Sequence, residues 1–119
     1  MGIKGRLLLT GGTGMVAQNI KEHPLAREWN ILSPTRSELD LSDAKALSKW
    51  LHKTRPDALI HAAGRVGGIQ ANITYPVDFL VQNLDLARNV ILMARGAGIK
   101  RLINLASSCM YPRKAPNPL

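Results

Sequence analysis

Short apolar runs alternate with longer segments of helical periodicity along this chain. The runs predict strands, and the first of them, with three consecutive leucines, has the composition of a strand buried on both faces. The four predicted strands are Arg6–Thr10, Trp29–Ser33, Asp57–Ala63 and Arg101–Ala106. The three predicted helices are Met15–Glu22, Asp43–Lys53 and a long one from Pro76 to about Arg95. This alternation is typical of parallel strands joined by right-handed crossovers, so it predicts a doubly wound α/β fold with about half of the usual sheet.

Capping residues and breakers set the expected element boundaries. Ser42 is predicted to be the N-cap of the second helix, and Pro76 is placed in the first turn of the third. The long helix is expected to end at Gly96 or Gly98. A brief extended piece is predicted at Glu38–Leu41.

The long helix carries apolar residues on two sides. One stripe at helical spacing is suited to packing on the sheet: Val77, Leu80, Leu84, Ala87, Ile91 and Ala94. A second set lies largely off that stripe: Phe79, Leu86, Val90 and Met93. A helix that is apolar on two sides needs two neighbours, so we expect a second surface to cover it.

Composition limits the class of protein and the kind of partner. A chain of 119 residues with 45% hydrophobic and 20% charged residues is sized for one globular domain and is not disordered. The apolar run Phe79–Met93 is broken by polar and charged residues, so no membrane partner is predicted. The net charge of +8 favours an anionic partner. Because the basic residues are scattered and aromatic residues make up only 4%, nucleic acid is disfavoured and a phosphate-bearing small molecule is preferred.

Cysteine usage and the amino end of the chain indicate a compartment. Cys109 is the only cysteine, which excludes an intrachain disulfide and a thiolate zinc cluster, and no metal site is predicted. The apolar stretch at residues 7–9 is too short for a signal peptide. We therefore expect a protein of the reducing cytoplasm.

Residues 10–17 read Thr-Gly-Gly-Thr-Gly-Met-Val-Ala and lie between the first strand and the first helix. A dinucleotide fold places the pyrophosphate at this point, where the helix N-terminus supplies free N–H groups. Gly11 permits a tight turn, Gly14 lets phosphate oxygens approach the backbone, and Ala17 allows close packing of helix on strand. A glycine turn that merely connects the two elements is the alternative.

The end of the second predicted strand indicates which dinucleotide is bound. An NAD site usually has an acid there, but this strand ends in Ser33 before Pro34, and Arg36 follows. A guanidinium pairs with a ribose 2′-phosphate in fork geometry, so NADP(H) is favoured over NAD(H). Arg36 as a solvated surface residue is the alternative. Asp40 is expected either to face the adenine edge or to stabilise a turn.

Several motifs occur in the same order as in a known family. They are Thr10–Ala17, Thr35–Leu41, Arg65–Ile69, Ala71-Asn72, Tyr75-Pro76 with Asp78-Phe79, and Ser107–Pro112. From Arg6 to about Pro112 the chain resembles the N-terminal part of the GDP-L-fucose synthases, which are extended short-chain dehydrogenases/reductases with a Rossmann-like domain. The Val-Gly-Gly-Ile and Ser-Ser-Cys-x-Tyr-Pro motifs are the most particular to that family.

The resemblance implies an oxidoreductase and isomerase of nucleotide-sugar metabolism. Its substrate would be GDP-4-keto-6-deoxy-D-mannose, epimerised at C3 and C5 and then reduced at the 4-keto group by hydride from NADPH. Ser107 resembles the catalytic serine that hydrogen-bonds the keto oxygen, and Cys109 resembles the acid/base residue of the epimerisation. From the residues alone, a turn role for Ser107 and a small buried side chain for Cys109 stay open. Gly11, Gly14 and Arg36 resemble cofactor contacts of the family, and Leu105–Ser108 would run beside the nicotinamide half. The full set of predicted cofactor contacts is Gly11, Gly12, Thr13, Gly14, Met15, Val16, Arg36, Asp40, Leu41, Ala63, Leu105, Ala106 and Ser108.

The match to the family is incomplete. Its Tyr-x-x-x-Lys pair, which contains the proton donor, is missing, because neither Tyr75 nor Tyr111 is followed by lysine at that spacing. Its paired histidine and its sugar-nucleotide lobe are missing too, and His61 is expected to pack beside the cofactor. We therefore expect residues 1–119 to be the N-terminal part of an NADP-binding domain, in a fragment or truncated product that does not catalyse the whole reaction. A non-catalytic NADP-binding module and another sugar-nucleotide epimerase or dehydratase are the alternatives.

The family also suggests a neighbour for the long helix. The corresponding helix of the family packs in a dimer interface, so the resemblance implies a homodimer of the full-length enzyme. Coverage by other parts of the same protein is the alternative. On the dimer interpretation, charged residues at Phe79 and Val90 are expected to disrupt the interface.

Overall fold

The computed structural model describes residues 2–118, and within them four parallel strands form one sheet in the order β2–β1–β3–β4. The strands are β1 (Arg6–Thr10), β2 (Asn30–Leu32), β3 (Ala58–His61) and β4 (Arg101–Asn104). Leu8 of β1 pairs with Leu32 on one side and with Leu59 on the other, and Leu59 pairs in turn with Leu102. The predicted α/β class is confirmed, and β1 has the predicted bounds. The other strands are shorter than predicted because pairing ends before their flanking residues.

The connections between strands are helical. The helices are α1 (Met15–Glu22), α2 (Ala44–Thr54), α3 (Ile69–Thr74) and α4 (Pro76–Gly96), with 3-10 turns at Pro24–Glu28 and Ser108–Met110. The N-cap prediction for α2 was wrong by one residue. The Asp43 carboxylate caps this helix by accepting from Ala46 N at 3.0 Å, while the Ser42 hydroxyl donates to Asp40. The apolar pattern does not predict α3, because six residues are too few for a periodic pattern to be recognised.

The main hydrophobic core lies between the sheet and the α2–α4 layer. Its fully or nearly fully buried members are Leu8, Leu39, Leu47, Leu51, Leu59, Val90 and Ala94. Alternate strand residues point to the opposite face, where Leu7, Ile31 and Ile60 border α1 and the first 3-10 turn. The sheet therefore has helices on both faces, as in a doubly wound fold.

The orientation of α4 corrects the stripe prediction. Phe79 and Val90, assigned to the outer surface, are buried, whereas Val77, Leu80 and Leu84 of the predicted inner stripe are 59–68% exposed. Ala94 alone among that predicted stripe is buried. Two asparagines fix which side of α4 faces inward. Their amides bind backbone groups of the loop after β3 and of the segment before α2.

Those asparagines are Asn83 and Asn89. Asn89 is buried and donates from Nδ2 to the carbonyl oxygens of Leu41 and Ser42, each at 3.1 Å. Asn83 accepts from Arg65 N at 2.8 Å and donates to Arg65 O at 3.0 Å, which ties the loop after β3 to α4. The Arg65 guanidinium lies over the Phe79 ring, 4.5 Å from its centroid.

No helix in the described range combines the length and the apolar composition that a bilayer crossing requires.

Candidate functional site

The candidate site lies along the edge where all four strands end. Because the strands are parallel, their carboxyl ends meet at one edge of the sheet. The chain leaves β1 toward β2 on one side and leaves β3 toward β4 on the other, so the order reverses between β1 and β3. Open α/β sheets bind ligands in the crevice at such a reversal.

The turn between β1 and α1 fills the middle of this edge. Gly11 has a φ of +71°, and Gly14 N donates to Gly11 O at 2.9 Å, which closes the predicted tight turn. A Cβ atom on Gly11 would lie 2.5 Å from the carbonyl oxygen of Ala62. Gly14 is the N-cap of α1 and offers no side-chain acceptor, so the first N–H groups of the helix stay available to a ligand. Thr13, Met15 and Val16 are exposed around this turn.

A buried hydrogen-bond group holds the end of β1 against the segment after β3. Thr10 Oγ1 accepts from Ala62 N at 3.1 Å and from Ala63 N at 3.3 Å, and lies 2.7 Å from His61 Nδ1. Because both backbone groups donate to it, the hydroxyl gives its own proton to the imidazole. Burial lowers the pKa of His61, in keeping with a neutral ring that accepts at Nδ1. With 4% exposure His61 is packed within the fold, and its predicted place beside the cofactor stays a prediction.

A second group, which the sequence analysis missed, lies on the β2 side of the turn. Lys21 Nζ donates to Gly12 O at 2.7 Å, and Gln18 Nε2 donates to the same oxygen at 3.2 Å. Ser33 Oγ is buried and has no hydrogen-bond partner within residues 2–118. It occupies the space that a side chain at Gly12 would need, and Lys21 Nζ lies 3.3 Å from the same point. Only Ser33 had a sequence signal, its place at the strand end; the Lys21 contact depends on how α1 is rotated.

Arg36 lies on an exposed turn that follows β2. Glu38 braces the turn by accepting from Thr35 N at 2.7 Å and from Thr35 Oγ1 at 2.9 Å, and these hydrogen bonds lower the pKa of the carboxyl. Leu39 N donates to Thr35 O at 2.9 Å, which closes the turn in place of the predicted extended piece. Within residues 2–118 the Arg36 guanidinium forms no ion pair. It is available to an anion beside the β2 end of the edge.

Asp40 takes the turn role that was one of its two predicted roles. Its carboxylate accepts from Ser42 N at 2.9 Å and from Ser42 Oγ at 2.7 Å. These hydrogen bonds lower the pKa of Asp40, so it is ionised at neutral pH. Leu41 is half-buried and packs against the main core.

The chain after β4 forms the other end of the edge. Leu105 N donates to His61 O at 3.2 Å, and Leu105 and Ala106 are exposed. Ser107 Oγ accepts from Cys109 N at 3.2 Å, so Ser107 caps the short turn that carries Cys109. Cys109 is exposed, which excludes the alternative of a buried hydrophobic side chain. The Ser108 side chain lies outside the described residues.

The structure therefore places the predicted residues at one edge but not in one cluster. The β2 and β4 strands are separated by three strand spacings, about 14 Å. Arg36 lies at one end, Ser107 and Cys109 at the other, and the glycine turn between them.

Comparisons with known proteins agree with this architecture. Residues 7–119 match the family described as NAD dependent epimerase/dehydratase family. The chain is 43% identical over 114 residues to the GDP-L-colitose synthase of Yersinia pseudotuberculosis, and 44% identical over 119 residues to the GDP-L-fucose synthase of Azorhizobium caulinodans. Those alignments cover 96% and 100% of this chain but 37% and 38% of the two relatives, so the chain spans little more than a third of their length.

A solved structure gives the same result for the fold. The GDP-mannoheptose C4 reductase from Campylobacter jejuni with NADP bound superposes with a TM-score of 0.87 at 30% identity. The match covers 100% of this chain and 38% of that one.

Proposed function

Because the chain belongs to the NAD dependent epimerase/dehydratase family, we propose that residues 1–119 form the NADP(H)-binding part of an enzyme of the GDP-L-fucose synthase kind. The proposed reaction of the whole enzyme is 3,5-epimerisation of GDP-4-keto-6-deoxy-D-mannose, followed by reduction of the 4-keto group. The relatives named as GDP-sugar synthases and the NADP-bound neighbour support this proposal.

One observation carries the proposal: the glycine turn lies at the strand reversal, with Arg36, which forms no ion pair among residues 2–118, on one side and Ser107 and Cys109 on the other. A dinucleotide with its pyrophosphate at the turn extends in both directions along this edge. Its adenosine end would lie toward Arg36, and its nicotinamide end toward residues 105–109.

The residues at the turn fit a dinucleotide phosphate. Gly11 and Gly14 present bare backbone, and the uncapped start of α1 supplies N–H donors with the positive end of the helix dipole. Arg36 would hold the 2′-phosphate in fork geometry. When bound, NADPH supplies the hydride for the reduction.

Ser107 and Cys109 would act on the sugar. Since Ser107 Oγ accepts from Cys109 N, its own proton remains free to be donated to a keto oxygen. The Cys109 thiol is exposed two residues further on, where it can exchange protons with a carbon next to a carbonyl. A GDP-sugar of the colitose type is a second candidate substrate, because the identity to the colitose synthase is as high as that to the fucose synthase.

We also propose that the whole enzyme is a homodimer that uses the outer side of α4. The exposed apolar residues Val77, Leu80 and Leu84 support this surface in place of Phe79 and Val90, which are buried. Such a contiguous apolar stripe on a helix is typical of a packed interface.

Coenzyme titration of the purified 119-residue chain tests the cofactor proposal. We expect NADPH to bind at least ten times more tightly than NADH, and Arg36→Met to remove most of that difference, since a charge-assisted pair is lost. Arg95→Met, an exposed arginine at the far end of α4, is the matched control and should leave both affinities unchanged. A folded chain that binds neither coenzyme, or that prefers NADH, would contradict the proposal and favour a domain with another role.

A further inference from the structure

We propose that Lys21 and Ser33 form the second half of the ribose-phosphate site, so that the 2′-phosphate is held between Lys21 and Arg36. The inference rests on the proposed function, and it assigns a specificity role to two residues outside the glycine and arginine motifs.

The Ser33 hydroxyl is the first observation. Its oxygen is buried at the end of β2 and has no partner among residues 2–118. A buried hydroxyl without a hydrogen bond is unfavourable, so its presence at this point indicates that a ligand or water completes it. Dinucleotide folds place the ribose hydroxyls at this strand end. A neutral serine can bind a ribose oxygen there. An acidic residue at the same place would repel the phosphate, whereas serine does not.

The Lys21 ammonium is the second, independent observation. It reaches from the last turn of α1 back over the glycine turn, where it uses one donor on Gly12 O at 2.7 Å. Two of its three donors remain, and within the described chain it pairs with no carboxylate. An ammonium in this state is a point charge suited to a phosphate.

The two side chains converge. Both lie beside the Cα atom of the buried residue Gly12, which has no room for a Cβ because the Ser33 hydroxyl occupies that place. Arg36 lies three residues beyond Ser33 on its braced turn. A phosphate monoester carries close to two negative charges at neutral pH, so two cations and a hydroxyl match its charge and its acceptors.

The alternative is that Lys21 merely stabilises the glycine turn through Gly12. That role would affect every nucleotide equally, whereas phosphate binding affects only ligands that carry the 2′-phosphate. The selectivity between adenosine 2′,5′-bisphosphate and adenosine 5′-monophosphate therefore separates the two roles.

Calorimetric titration of both nucleotides into the full chain provides the test. We expect Lys21→Met to weaken binding of the bisphosphate about tenfold, the effect of losing one charge-assisted hydrogen bond. The affinity for the monophosphate should stay within about twofold of wild type. Lys21→Arg should retain most of the affinity, and Ser33→Ala should weaken the bisphosphate about threefold. Lys49→Met, which removes the same charge from the exposed side of α2, should change neither affinity.

The outcomes distinguish this inference from the proposed function. Equal weakening of both nucleotides by Lys21→Met, or no weakening of either, overturns the inference while the selectivity due to Arg36 stands. A wild-type chain that shows no selectivity for the bisphosphate overturns the proposed function and this inference together.

Discussion

At the scale of single residues, the site depends on how Thr10 and Gly11 bring the end of β1 against the segment after β3. The Thr10 hydroxyl uses its one proton on His61 and its lone pairs on two backbone N–H groups, so it is fully satisfied although buried. Gly11 then turns the chain with a positive φ in the space beside Ala62. Together they position the turn that is proposed to bind the pyrophosphate.

We expect Gly11→Ala to destabilise the chain by about 2–4 kcal/mol, because the left-handed backbone is strained for alanine and the new methyl group meets a carbonyl oxygen. The free energy of unfolding in urea measures the effect. Gly68→Ala is the control: Gly68 has a φ of −69° and nothing within 4 Å of its missing side chain, so the change should stay within about 0.5 kcal/mol. A Gly11→Ala chain as stable as wild type would contradict the close approach to Ala62.

The buried imidazole predicts a pH dependence of stability. Burial lowers the pKa of His61 below its ordinary value of 6.5, so the unfolded chain binds this proton at a higher pH than the folded chain does. The resulting stabilisation is complete above pH 6.5 and is lost as the pH falls through the lowered pKa. His61→Asn keeps an acceptor for Thr10 but does not titrate, so its unfolding free energy should fall less between about pH 7 and pH 5.

The matched control for that measurement is His52→Asn. His52 is exposed on α2, and its Nδ1 atom lies 2.8 Å from Ser48 O of the same helix. A fall in stability that is reduced in His61→Asn but retained in His52→Asn would assign the effect to the buried ring. Identical profiles for wild type and His61→Asn would show that the imidazole does not couple to folding.

At the scale of elements, the orientation of α4 is set by polar side chains rather than by its apolar pattern. The buried residues Phe79, Val90 and Ala94 share a side with Asn83 and Asn89, whose amides bind loop backbone. The apolar residues on the other side outnumber them, which is why periodicity alone selected the wrong stripe. A buried asparagine is favourable only when backbone groups are placed to hydrogen-bond with its amide. Those groups belong to segments distant in the sequence, so the helix pattern alone does not reveal them.

We expect Asn89→Ala to lower the free energy of unfolding by about 1–3 kcal/mol, because the carbonyl oxygens of Leu41 and Ser42, just before α2, lose their donor. Denaturation in urea, followed by far-ultraviolet circular dichroism, measures the loss. Arg88→Ala, at the exposed neighbouring position, should have an effect within about 0.5 kcal/mol. Equal losses of unfolding free energy in Asn89→Ala and Arg88→Ala would mean that the buried amide contributes no more to stability than an exposed side chain does.

The sequence predicts well those elements whose formation depends on residues close together in the chain. Three leucines followed by glycine determine β1 and the turn, and the periodicity of Met15–Glu22 determines α1 at both ends. What it missed depends on contacts between distant residues, such as Lys21 with Gly12 or Thr10 with His61. Asp43 displaced Ser42 as the N-cap of α2 because Asp40 already holds the serine, which only the fold reveals.

At the scale of the whole molecule, the two faces of the sheet are covered unequally. The α2–α4 face is closed by the main core, whereas the α1 face contains an open apolar concavity of about 580 Å³ bordered by Leu7, Ile31 and Ile60. The outer side of α4 adds a second exposed apolar surface. Surfaces of this kind favour association with another protein surface.

We expect the double change Leu80→Glu and Leu84→Glu to reduce self-association in sedimentation experiments, because it places two charges in the exposed stripe. The unfolding free energy of the dilute monomer should stay within about 1 kcal/mol of wild type, since neither side chain belongs to the core. Gln82→Glu, an exposed polar position on the same helix, controls for added charge. An unchanged sedimentation profile would remove the stripe from the proposed dimer interface.

The pair of hydrogen bonds between Asn83 and Arg65 joins α4 to the loop after β3. That loop runs back from Arg65 to the backbone amides of Ala62 and Ala63, which donate to Thr10 Oγ1. These contacts therefore connect the helix of the proposed dimer interface with the edge that carries the proposed nucleotide site. If both proposals hold and the two sites are coupled through these contacts, thermodynamic reciprocity requires that dimerisation and nucleotide binding change each other's affinity by the same factor.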